Sequence, residues 1–147
     1  MLCVVAFTGC KAVYNARNVP AKDISDQGSF VFVRPDKHTL LGTRSLRDYT
    51  EVAYEKFSLN GAGQPVVKFG LRNRGGQRWY DTKGPRITIA AKCVFYEEAV
   101  TSRAITSPPV YETNWQRIPI TRGETIHYSF TCPVAARGYQ VTLSDAF

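Results

Sequence analysis

The sequence predicts an all-β fold, an antiparallel β-sandwich of about seven to nine strands, on three observations. Apolar residues alternate two apart instead of recurring at helical spacing, and clusters of turn formers separate the alternating stretches at fairly regular intervals. Of the 147 residues, 44% are hydrophobic and 12% aromatic, which supplies one core of ordinary size and so one domain.

Taken in order, residues 11–28 (KAVYNARNVPAKDISDQG) contain Pro20, several Asn and Asp and no sustained period, so they read as an extended tether. The domain then opens with SFVFV at 29–33, which turns either Phe30 and Phe32 or Val31 and Val33 inward. Residues 46–59 tolerate helix or strand. A strand over 51–59 is predicted because it meets 66–73 across the Gly-rich NGAG at 60–63, as a hairpin would. In PVVKFGLRN the residues Val67, Phe69 and Leu71 share a face, and in RITIAAKCVFY so do Ile87, Ile89, Ala91, Cys93 and Phe95. Ile126, Tyr128, Phe130 and Cys132 do the same in TIHYSFTC, and GYQVTL supplies a last strand. NRGG at 73–76, SPP at 107–109 and Arg122-Gly123 mark turns, and SPPVY at 107–111 reads as a rigid loop. The expected organisation is a signal segment at 1–9, a tether at 10–28 and the sandwich at 29–147.

Nineteen Lys and Arg against twelve Asp and Glu give a net charge of +7, which favours anionic neighbours such as lipid head groups, acidic glycans or nucleic acid. No apolar run approaches the roughly 20 residues of a membrane-spanning helix. The first ten residues, MLCVVAFTGC, are an uncharged apolar run ending in the small residues Thr8 and Gly9 before Cys10. This resembles the lipobox of a bacterial lipoprotein, with Phe7 where Leu is usual and with the basic n-region missing, as in a truncated signal. The resemblance implies that the Cys10 thiol carries lipid. Lys11, where an Asp would retain the protein at the inner membrane, implies the outer membrane, with the domain facing the periplasm.

Further along, the order LNGAGQPVVKFGLRNRGG, KCVFYEEAV, NWQRIPITRGETIHYSF and GYQVTL resembles the small bacterial lipoproteins of the YcfL type over about residues 51–143. The markers are Asn73 at a strand end, Phe95-Tyr96, Trp115 opening a strand and the Gly123 turn. The chain departs from the family pattern by an extra basic loop after Asn73, by Glu97 in place of an Asp-Gly turn, and by two core-face cysteines. The resemblance implies an immunoglobulin-like sandwich in the cell envelope, and no reaction.

Cys93 and Cys132 fall on the inward phase of their strands, so in an oxidising periplasm they are expected to form a disulfide across the sandwich. The histidines, His38 and His127, are far apart and no CxxC or HxxxH spacing occurs, so neither a metal site nor a cofactor is expected. Catalytic motifs are missing as well: there is no GxSxG, GxxxxGK or HExxH. Glu97 and Glu98 are adjacent, which on a strand sends them to opposite faces, and His127 lies out of phase with its inward neighbours and is expected to face solvent. The expectation is therefore a protein that is not an enzyme.

The basic segment is the candidate binding surface. Between 68 and 92, Lys68, Arg72, Arg74, Arg78, Lys83, Arg86 and Lys92 face the single acid Asp81, interleaved with Trp79 and Tyr80. Arg and Lys there suit phosphate or carboxylate groups, and the aromatics suit stacking on bases or sugars. The plainer reading is a solvated hairpin loop. Trp115 reads as a core or edge filler. The expected function is a lipid-anchored envelope protein that acts as a non-catalytic binding or assembly subunit among other envelope proteins, as part of a complex, with contacts to anionic lipid or glycan. The alternative is a basic nucleic-acid-binding β-domain of cytosolic, phage or viral origin. A third class is a carbohydrate-binding or carbohydrate-acting module using Trp79, Tyr80 and Trp115.

Overall fold

Alternation builds the strands, and the strands pack as two sheets. The computed structural model describes residues 22–23, 29–32, 37–39, 42–44, 50–73, 86–100, 105 and 107–145. In chain order the strands are β1 (Lys22–Asp23), β2 (Phe30–Phe32), β3 (Lys37–Thr39), β4 (Gly42–Arg44), β5 (Thr50–Leu59), β6 (Pro65–Asn73), β7 (Arg86–Tyr96), β8 (Pro109–Glu112), β9 (Gln116–Thr121), β10 (Thr125–Thr131) and β11 (Gly138–Asp145). One sheet has the order β1-β5-β6-β10, with β1 adding only two residues at its edge. The other runs β2-β11-β7-β8, with β9 pairing β7 beside β8; β3 and β4 form a separate two-stranded hairpin.

The core lies where the predicted inward faces meet. Val67, Phe69, Leu71, Ile89, Ala91, Cys93, Phe95, Ile120, Cys132, Val141 and Leu143 are fully buried. At the start of the domain, Phe30 is the residue turned into the core, with Phe32 packed against it. Aromatic contacts join the layers. Phe69 of β6 meets Phe30 of β2 edge to face at 5.8 Å, and Phe57 of β5 lies 5.0 Å from Tyr139 of β11.

The expected β5–β6 hairpin forms, with Leu59 opposite Pro65. Its loop is closed by Asn60, whose side-chain oxygen accepts from the amides of Ala62 and Gln64, each at 2.9 Å. Gly63 takes a φ of +76°, a left-handed conformation that glycine reaches without steric cost. The far end of β6 is tied to the β9–β10 corner. The Asn73 amide donates to the Glu124 carbonyl, its side-chain nitrogen donates to the Ile120 carbonyl at 3.0 Å, and the Gly123 amide donates back to the Asn73 carbonyl at 2.7 Å. Asn73 is buried, and these bonds satisfy its backbone groups and its side-chain nitrogen inside the sandwich.

Three features differ from the sequence expectation. The sandwich is mixed, not wholly antiparallel, because β2 pairs β11 in parallel, with Val141 opposite Phe30. Alternation reports which face is buried and carries no mark of strand direction. Residues 109–112, read as part of a rigid loop, form β8 against Val94–Tyr96 of β7. Pro109 fits there as the first residue of an edge strand, where a missing N–H costs little. Lys22 and Asp23, read as tether, pair with Val52 and Glu51.

Candidate functional site

The polar chemistry of the described residues gathers on the outer face of the four-stranded sheet. A register shift between Val52 and Tyr54 inserts Ala53 as a bulge, so Val52 and Ala53 are both buried and Tyr54 turns outward. Tyr54 stands opposite Gly70, and Gly70 opposite His127, so one row crosses β5, β6 and β10. A Cβ at position 70 would stand 2.6 Å from the Tyr54 ring, so only glycine lets that ring lie across β6. It reaches His127 with a hydroxyl-to-Nδ1 distance of 2.7 Å. Burial pushes the Tyr54 phenol above its ordinary pKa, which keeps the hydroxyl protonated.

The next row is Lys56, Lys68 and Ser129, paired across the same three strands. Tyr54, Lys68, His127, Tyr128 and Ser129 line a shallow depression of about 460 Å3. On the other side of the Tyr54 row, Arg72 is exposed and pairs with Glu51 at 3.6 Å, although the Glu51 side chain is only 8% exposed. His127 faces solvent as expected; its partner Tyr54, 73 residues away, was not foreseen.

The remaining predicted site residues are dispersed. Arg86 opens β7 opposite Thr121. Arg74, Arg78, Trp79, Tyr80 and Lys83, like Cys10 and the signal segment, lie outside the described residues. Trp115 is half-buried between β8 and β9 with the Lys92 ammonium 5.1 Å from its ring centre, and Lys92 also pairs with Glu112. Glu97 and Glu98 lie past the end of β7, where alternation no longer applies, and both line a second depression of about 700 Å3 with Arg137.

The expected Cys93–Cys132 disulfide is not formed: both residues are free thiols, fully buried as their phase predicted. Periodicity assigns each to the core without setting the separation and orientation a bond requires. Burial first, and the neighbouring Cys132 second, push the Cys93 thiol well above its ordinary pKa, the reverse of what a nucleophilic cysteine needs. A further polar link joins the layers, since the Tyr139 hydroxyl of β11 donates to a Glu55 carboxylate oxygen on β5 at 2.6 Å. Burial and that hydrogen bond raise the Tyr139 pKa.

These features define a small all-β sandwich domain whose candidate site is an open, cationic sheet face. The fold is similar to that of the crystal structure of Campylobacter jejuni cj0090, at a TM-score of 0.51 and 11% sequence identity, covering 82% of this chain and 100% of that one. At that identity the likeness concerns the fold alone. No family model matches the chain, and no curated protein matches it.

Proposed function

We propose that the chain is a YcfL-type lipoprotein of the bacterial outer membrane, anchored through Cys10, that binds other envelope components and performs no chemistry of its own. The observation that most supports this reading is the continuity of charge along β6. Lys68 and Arg72 are exposed on its outer face, and the basic segment with Arg74, Arg78 and Lys83 follows directly from its end. The sheet-face cations and the segment that follows them in the sequence carry one sign, which suits a partner of opposite charge. Tyr54 and His127 sit on that open face, while the Cys93 and Cys132 thiols are sealed in the core.

The test is co-purification from detergent-solubilised envelope at low and moderate salt. Arg74→Ser and Arg78→Ser are combined, and Arg72 is kept because it pairs with the nearly buried Glu51. The expected result is a roughly threefold lower recovery of the envelope partner and a flatter salt dependence, with the melting temperature unchanged. Equal recovery and equal salt dependence would remove the basic segment from the binding surface.

A further inference from the structure

We propose that the outer face of the four-stranded sheet carries a binding site for a phosphate group, formed by Lys56, Lys68, Ser129 and the Tyr54–His127 pair. The proposal begins from a juxtaposition that folding alone disfavours. Lys56 and Lys68 stand directly opposite each other on β5 and β6, and both are exposed. Like charges directly opposite across a strand pair are destabilising. By contrast Arg72 is matched with Glu51 and Lys92 with Glu112. Among the described residues neither Lys56 nor Lys68 makes an ion pair. An anion held between them would turn the repulsion into attraction.

The surroundings supply the other requirements. Ser129 stands opposite Lys68 and adds a hydroxyl donor, and the depression of about 460 Å3 beside them is lined by Tyr54, Lys68, His127, Tyr128 and Ser129. The Tyr54 hydroxyl lies 2.7 Å from His127 Nδ1 and fixes the imidazole beside the lysines, with its Nε2 edge left to a ligand. Gly70 is part of the construction, because any side chain there would displace the Tyr54 ring that fixes the imidazole. Two separate ammoniums with a hydroxyl beside an imidazole edge suit a tetrahedral oxyanion with several acceptor oxygens. A planar carboxylate is matched better by an Arg fork. The ligand is therefore a phosphate group, borne either by a lipid head group or by a soluble phosphate.

This site deepens the binding role proposed above and rests on it for its setting. Its test needs neither the anchor nor a partner. The full chain is titrated with inorganic phosphate at constant ionic strength, and separately with phosphatidylcholine vesicles with and without phosphatidylglycerol, while backbone amide shifts are followed. The expected result is saturable shifts with phosphate at residues 54, 68, 70, 127 and 129. In Lys56→Gln/Lys68→Gln the affinity is expected to fall at least about tenfold, with melting at or above the wild-type temperature because the like-charge contact is gone. The single variant Lys68→Gln gives the same reading at smaller amplitude should the double variant melt early. Displacement of phosphate by the phosphatidylglycerol vesicles identifies a lipid head group as the source; saturation by phosphate with no vesicle effect identifies a soluble one. Either outcome upholds the site. No saturable shift on this face, or equal affinity in the variants, would overturn it. A chain that lacks lipid yet binds phosphate here would refute the envelope reading and leave the site standing.

Discussion

Truncating Phe69 to alanine is expected to destabilise the fold by about 3–5 kcal/mol, the range for deleting a buried aromatic ring and leaving a cavity. Phe69 is fully buried, and its ring meets Phe30 at 5.8 Å, Phe130 at 5.9 Å and Tyr128 at 6.0 Å. The loss therefore reaches both sheets: Phe130 and Tyr128 belong to β10 of the same sheet, while Phe30 belongs to β2 of the opposite one. Since single domains are stable by only about 5–15 kcal/mol, the variant is expected to lie near the limit of folding. Urea unfolding reads this directly. A midpoint shifted far down with an unchanged slope is the expected result, and Phe69→Leu is expected to fall between the two. A shift worth less than about 1 kcal/mol would mean that this ring does not join the layers.

Gly138→Ala is expected to cost about 3 kcal/mol, for a reason unrelated to the core. Gly138 opens β11 opposite Tyr96, and the chain leaving β7 passes directly over it. A Cβ there would overlap the Glu98 carbonyl oxygen and stand 2.8 Å from the Val100 amide nitrogen. Both neighbours are backbone, so no side chain can swing aside. Relief requires moving either the strand start or the 97–100 segment, which disturbs the β7–β11 ladder. The expected reading is a melting temperature lowered by roughly 10 °C. Gly61→Ala, where a Cβ meets nothing within 4 Å, is the matched control and is expected to melt close to wild type.

How much of this was legible in the sequence differs from element to element. The faces of β6 and β7 were readable because each carries a long, uninterrupted period of two, and every residue assigned inward there is buried. Asn73 and Gly123, noticed first as markers of a resemblance, have a physical reason: together they hydrogen-bond the end of β6 to the β9–β10 corner, where Gly123 takes a φ of +77°. The parallel β2–β11 pair was not readable, because partners more than a hundred residues apart leave no periodic trace of their direction. In the candidate site His127 was correctly turned to solvent by phase alone. Tyr54 was hidden by the bulge at Ala53, which breaks the alternation of β5, so Val52 faces in while Tyr54, two residues on, faces out. Cys93 and Cys132 show the same limit from another side, since phase placed both in the core without telling whether they are bonded.

The anchored envelope protein is the centre of this account, and its most direct test is the chemistry at Cys10. Cells producing the full chain, or the same chain with Cys10→Ser, are fed a clickable fatty acid, and the purified proteins are compared for label and for membrane fractionation. The account predicts label on the wild-type chain, which fractionates with the membrane, and none on Cys10→Ser, which is released. Equal labelling of the two, or no label on either, would contradict it.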